Sequence, residues 1–216
     1  MNKEKLILAS NSPRRKELIA LLQLPFTVNP GNVDETVEMG ENAQAYVCRL
    51  ALAKAHAIKA AQGQVTIAAD TVVVDQGDIL GKPMDAADAA RMLKQLRGHT
   101  HTVMTAITLL EGSSGRALSD LCVTDVPMRN YSDAEIEAYV ASSDPLDKAG
   151  AYAIQHAGFK PVENLDGCYA SVMGLPLCHI TKSLQALGIE VPVDIARSCQ
   201  AKLAYDCRVH AGILSN

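Results

Sequence analysis

The sequence predicts an α/β fold built on a mixed sheet, and three observations carry that prediction. Short apolar strands alternate with helical segments through the first half of the chain. Two long strand-like runs, 100–110 and 116–129, flank the turn Glu111-Gly112-Ser113-Ser114-Gly115 and read as a hairpin. No internal repeat, low-complexity tract or Pro/Ser-rich linker divides the 216 residues. Long strands of mixed direction with helices on their faces imply one large α/β domain or two intimately joined lobes.

The elements follow from local chemistry. The apolar run Leu6-Ile7-Leu8-Ala9 is a strand that enters the small polar turn Ser10-Asn11-Ser12. Ser12 is a good N-cap, Pro13 suits the first helical position, and Leu18, Ile19, Leu21 and Leu22 supply an apolar stripe. A short strand at 26–28 leads to the acidic loop 32–41, which carries Asp34, Glu35 and Glu38. Residues 42–61, rich in Ala and Leu, form a helix bearing Arg49 and Lys54. Strands are expected at 64–74 and 79–80, then a helix over 85–96 capped by Asp85. After the hairpin, Ser132 caps a helix over 133–141, with Glu135 placed for a capping box. A short strand at 152–154, a helix over 176–187 and one short helix near 195–204 complete the reading. The domain is expected to span 1–188, with 189–216 a C-terminal extension of unknown role.

Composition bounds the function. Hydrophobic content of 48% and charged content of 20% are ordinary for a globular enzyme. Two Phe, six Tyr and no Trp leave no platform for stacking single-stranded nucleic acid. A formal charge of −4 gives no overall attraction to nucleic acid or an anionic membrane, so any phosphate site must be a local concentration of cations. No apolar run approaches the ~20 residues that span a bilayer. Met1-Asn2-Lys3-Glu4-Lys5 runs straight into a strand with no secretory cleavage pattern. Six cysteines without a CxxC pair read as reduced, mostly buried thiols, and the cytoplasm is the expected compartment.

Several residues are candidates for chemistry. Arg14, Arg15 and Lys16 lie in the first turn of a helix, where the dipole is already positive and backbone N–H groups lack partners. An arriving polyphosphate would account for them; a surface helix with solvated cations is the competing reading. Asp70 lies in the apolar strand Thr66-Ile67-Ala68-Ala69-Asp70-Thr71-Val72, where a carboxylate is costly unless paired or metal-bound. It could hold Mg²⁺ or take a proton from an attacking water. Gly81-Lys82-Pro83 places a lysine in a stiff turn, and the run Ser143 to Gln155 combines acids, Lys148 and small residues. Glycines at 167 and 174 surround a strand-to-helix turn. His99 and His101 are expected to be structural or solvated. Cys199, Cys207 and His210 match no zinc spacing.

Taken in order, SNSPRR at 10–15, DE at 34–35, RLALAKA at 49–55, ADT at 69–71, GKP at 81–83, RGHTH at 97–101, DKAGAYAIQ at 147–155 and GLPL at 174–177 resemble the Maf family of nucleoside triphosphate pyrophosphatases. The resemblance spans about residues 5 to 187. It implies a two-lobed α/β fold with a deep cleft, related to inosine triphosphate pyrophosphatases. It also implies hydrolysis of a nucleoside triphosphate to the monophosphate and pyrophosphate with a divalent cation, Mg²⁺ or Mn²⁺.

By position, Asp70 corresponds to the family's proton-accepting catalytic acid. Ser10, Arg14, Arg15, Lys54 and Lys82 correspond to phosphate-holding residues, and Glu35, with Asp70, falls near the metal. Arg14, Thr71 and Gln155 are the positions linked to base choice. Thr71 and Gln155 match the branch acting on dTTP and UTP, whereas a branch acting on 7-methyl-GTP carries Gln and Glu there. A Gln amide can pair with both the O4 and the N3–H of uracil or thymine. Cys168 stands where the family often has Ser. House-cleaning of nucleotide pools, including modified pyrimidine triphosphates, is the implied purpose, and a homodimer is expected. The alternative is a nucleotide-binding regulator of septum formation whose catalysis is incidental.

Overall fold

The computed structural model describes residues 5–215, so the expectation for the N-terminal tetrapeptide lies outside the described residues. A mixed sheet runs in the order β2-β1-β3-β5-β6. β1 (Lys5–Leu8) pairs parallel with both β2 (Phe26–Val28) and β3 (Gln64–Asp75). Two helices make these connections: α1 (Pro13–Ala20) between β1 and β2, and α2 (Ala43–His56) between β2 and β3. The hairpin of β5 (Thr100–Glu111) and β6 (Ala117–Pro127) completes the sheet, with β5 antiparallel to β3. The short β4 (Asp78–Leu80) folds back on the end of β3.

β3 organises the molecule. Val65, Ile67 and Ala69 face a core formed with Leu18, Ile19 and Leu22 of α1 and with Leu177, Ile180 and Leu184 of α6 (Leu177–Ala186). Ala68 and Val72 face the opposite side, where Val47, Ala51 and Ala55 of α2 cover the sheet. Helices on both faces explain why β3 lacks the apolar–polar alternation of a half-solvated strand. Beyond Val73, a second core gathers α3 (Ala86–Leu96) and α4 (Asp133–Ala141) around Leu93, Tyr131, Ile136 and Phe159. The two cores are the two lobes, and β3 and β5 run through both.

The edge of β3 opposite β5 is interrupted. β1 pairs with it as far as Ile67, and β4 takes over at Val73. Residues 68–72 have no strand partner on that side among the described residues, and the cleft opens there.

Caps at Ser12, Asp85 and Ser132 form as expected, including the Ser132–Glu135 capping box, and Asn42, expected as the first residue of its helix, caps α2 instead. The expected helix over 42–61 ends at His56, because the chain turns to bury Ile58 beside Ile7, Ala9 and Leu110. The expected strand at 152–154 is absent. Two 3-10 turns, Asp144–Asp147 and Ala149–Ala151, precede it, and the Ala153 N–H donates to the Tyr139 hydroxyl (3.0 Å) instead of to a neighbouring strand. The one-turn α5 (Tyr169–Val172) and the terminal α8 (His210–Leu214) have no counterpart in the sequence reading, while α7 (Ile195–Leu203) falls where a helix was expected. All six cysteines are free, and Cys168, Cys178, Cys199 and Cys207, scattered in sequence, line one small cavity of about 20 Å³.

Candidate active site

A cavity of about 630 Å³ lies over the interrupted edge of β3. Ser10, Arg14, Arg15, Glu35, Lys54, Asp70, Thr71, Lys82 and Gln155 all line it, drawn from separate elements of both lobes. Successive residues of a strand point to opposite faces, so Asp70 faces α2 while Thr71 faces α1 and α5. Only a gap in the sheet lets one cavity reach both.

On the α2 side, the Lys54 ammonium lies 2.6 Å from Asp70 Oδ1 and 2.6 Å from Glu35 Oε1. The Lys54 and Asp70 side chains are only 11% and 10% exposed. Burial raises the Asp70 pKa above its ordinary value and outweighs the opposing pull of Lys54 and Arg15. Burial pushes Glu35 the same way but loses to the hydrogen bond and charge of Lys54, so its pKa is lowered. Two carboxylates thus converge on one cation position, now held by an ammonium. An oxygen-only pair of this kind suits Mg²⁺, which takes one or two carboxylates and completes its shell with water and substrate phosphates. Among the described residues no cluster of three or more His, Cys, Asp or Glu is arranged to hold a metal, so substrate oxygens would have to share the coordination.

On the other side, Arg15 is built into the wall. Nε donates to Gly174 O (2.9 Å), Nη1 to Ala69 O (2.8 Å) and Ser10 Oγ (3.4 Å), and Nη2 to Thr71 Oγ1 (3.2 Å). Its guanidinium satisfies the unpaired Ala69 carbonyl left by the missing strand, and four of its five N–H donors are committed to protein. Burial lowers its pKa, yet a guanidinium stays charged. Thr105 Oγ1 donates to Ser171 O (2.8 Å), so the 3.0 Å contact between the Thr71 and Thr105 hydroxyls must run from Thr71 to Thr105. The proton order leaves Thr71 with an accepting lone pair toward the cavity. Gly174, at φ +101°, permits this packing; an added Cβ would lie 3.2 Å from both Arg15 Nε and Thr71 Oγ1.

The remaining expected residues are freer. Ser10 Oγ accepts from Ser12 N and Arg15, leaving its own proton available. Arg14 approaches Asp147 (3.9 Å) and is otherwise open to the cavity. Lys82 and Gln155 are exposed at the rim, and neither has an ion-pair or hydrogen-bond partner among the described residues.

Sequence reasoning assigned no role to Asn32, Tyr46, Asp147 or Lys148, which also line the cavity. Lys148 is buried and held by Asp144 (3.0 Å) and Asp147 (2.6 Å). The available signal was a lysine followed by Ala-Gly-Ala in a run without helical or strand periodicity. Gly150, at φ +68°, packs on Val73, and its N–H donates to Gly81 O (3.0 Å), which ties this segment to the Lys82 turn. His99 and His101 are structural, as expected: His99 meets Asp75 (2.8 Å), and His101 meets the Tyr152 hydroxyl (2.9 Å) with its pKa pushed down to about 4 by burial.

A family model described as Maf-like protein matches residues 5–187. The chain belongs to the Maf-like family. Curated Maf-like relatives include a "dTTP/UTP pyrophosphatase" from Anaeromyxobacter dehalogenans strain 2CP-1, 45% identical over 190 residues that cover 87% of this chain and 96% of the relative. A protein of the same name from Moorella thermoacetica is 46% identical, covering 87% of this chain and 97% of its own length. Among solved structures, this Maf-like chain is similar to a HAM1 protein from Coxiella burnetii (18% identity, 59% of this chain and 74% of that one, TM-score 0.42). It is also similar to a nucleoside-triphosphatase / dITP/XTP pyrophosphatase from Mycobacterium abscessus (16%, 85% and 94%, TM-score 0.40). Among the described residues no helix is long and apolar enough to cross a membrane.

Proposed function

We propose that this chain hydrolyses dTTP and UTP to the monophosphate and pyrophosphate. The observation that carries the reading is the buried Asp70–Lys54–Glu35 cluster, set at a break in the sheet and facing cations from both lobes within one cavity. The names of the relatives fix the substrate class.

Asp70 acts as the general base. A water oxygen attacks the α-phosphorus, its proton passes to the Asp70 carboxylate, and the bond between the α-phosphorus and the bridging oxygen breaks to release pyrophosphate. The raised pKa of Asp70 brings it nearer the working pH, as an efficient base requires. Ser10, Arg14, Lys54 and Lys82 hold the phosphate oxygens and stabilise their growing charge, and Arg15 adds its remaining N–H and fixes the wall. Glu35 and Asp70 would hold a divalent Mg²⁺ or Mn²⁺, which supplies charge neutralisation at the phosphates. Gln155 pairs with the pyrimidine O4 and N3–H edge, Thr71 offers an acceptor, and Arg14 senses the base from the phosphate side. Residues 1–188 are the catalytic domain. Cytoplasmic placement, a homodimer and pool cleaning belong to this reading, and no observation favours the regulator of septum formation over it.

Pyrophosphate release from a panel of purified triphosphates tests the proposal. UTP and dTTP should exceed GTP, ATP and CTP, and Asp70→Asn should lower kcat by about 10²–10⁴-fold while the protein stays folded. Turnover close to wild type in Asp70→Asn would remove the assignment.

A further inference from the structure

Residues beyond 188 lie outside the family match, yet they pack against the core under α6 through Ile189, Val191, Leu203, Val209 and Ile213. Between α7 and α8, Tyr205 reaches back to the loop that opens α5. Its hydroxyl accepts the Gly167 N–H (3.1 Å) and faces two carbonyls, Leu165 O (3.1 Å) and Gly167 O (3.0 Å). Its ring lies against Tyr169, with centroids 5.4 Å apart. Gly167 is itself pressed on β6, since an added Cβ would sit 2.7 Å from Thr124 Cγ2.

This loop sets the start of α5, where Cys168 Sγ accepts the Ser171 N–H (3.3 Å). α5 is a single turn, so fixing its start fixes its end. That end supplies Ser171 O to Thr105 and Gly174 O to Arg15, two of the backbone contacts that order the far wall of the cavity. The connection therefore runs from a phenol in the extension through a loop and one helical turn to Arg15 and Thr71.

The geometry points to Tyr205 as a positioning residue: the C-terminal extension braces the α5 wall of the active site through the hydrogen bonds of this hydroxyl. The inference rests on the hydrolase reading for its catalytic consequence and on the hydrogen bonds alone for its mechanical one.

The test uses the full-length chain. Tyr205→Phe keeps the ring and removes only the hydroxyl. Hydrogen exchange of the nucleotide-free protein should rise about fivefold at Gly167 and at the amides of 171–174, and kcat/KM for UTP should fall about fivefold, the loss expected from roughly one hydrogen bond. Leu203→Ala loosens the packing of the extension and removes none of the three hydrogen bonds at the Tyr205 hydroxyl. It should lower the melting temperature at least as far while leaving kcat/KM within about twofold.

Unchanged exchange at 171–174 in Tyr205→Phe overturns the brace. So does a kcat/KM loss that Leu203→Ala shares in proportion to its lost stability. If Tyr205→Phe does not fold, native-state exchange of the wild type in rising urea decides: the amides of α7 and of 171–174 must open together, and separate opening overturns the inference. If the wild type releases no pyrophosphate from any triphosphate, the hydrolase reading fails, and the exchange measurements still judge the brace on their own.

Discussion

Asp70 and Glu35 meet the same lysine nitrogen at the same distance, yet their pKa values move in opposite directions. Depth explains the difference. Asp70 is nearly closed off, so desolvation dominates, whereas Glu35 is half open and keeps the benefit of Lys54 without the full cost of burial. The consequences for stability have opposite signs. Asp70, raised in the fold, contributes stability at pH below its unfolded value that is lost as pH rises through the folded value; Glu35, lowered, contributes stability above its unfolded value that is lost as pH falls through the folded one. For activity, a base must be ionised, so the acid limb of kcat/KM should lie above the ordinary aspartate value of 3.8. Glu35 is one of the charges holding Asp70 up, and it competes for Lys54. Glu35→Gln should therefore lower the Asp70 pKa, read from its carboxyl carbon by NMR in EDTA-treated protein. An Asp70 value that stays fixed or climbs in that variant would show that the Glu35 charge does not hold it up.

At the scale of elements, the sequence was most informative where the decisive partner is local. Ser12, Asp85 and Ser132 cap their own helices within three residues, and each was legible from side-chain chemistry. The segment 144–155 was not. Its Ala153 and Gly150 N–H groups are satisfied by Tyr139 and Gly81, which no periodicity within the segment could reveal. α5 was equally hidden, because a single turn carries no period to read. Gly174 beyond it was visible as a glycine near a turn, but its purpose depends on Arg15 and Thr71, far away in the chain. Gly174→Ala places a side chain at φ +101° against two polar atoms that cannot retreat without breaking their own bonds. The change should cost about 1–3 kcal/mol by urea denaturation and lower kcat/KM for UTP further than the stability loss explains. A variant as active as wild type would mean that Arg15 holds its place without the Gly174 carbonyl.

Across the whole molecule, the residues that the motif order singled out line one cavity, because all of them border one break in the sheet. The break itself was invisible, since it arises from where β1 stops and β4 begins along β3, and strand pairing leaves no trace in composition. The same break concentrates charge. The cavity gathers Arg14, Arg15, Lys54, Lys82 and Lys148 against Glu35, Asp70 and Asp147, within a chain of net charge −4. A polyanion is therefore attracted by this local excess and not by the protein as a whole, and long-range attraction of that kind is screened within about 10 Å at 0.1 M salt. The contacts made after docking are partly buried and much less exposed to screening. KM for UTP should consequently rise about fivefold between roughly 50 and 500 mM KCl while kcat changes little. The measurement separates two arrangements of the same charges. If KM stays flat across that range, the carboxylates already neutralise the cations that hold them, and the free charge of Arg14 and Lys82 at the rim is too small to draw the triphosphate in.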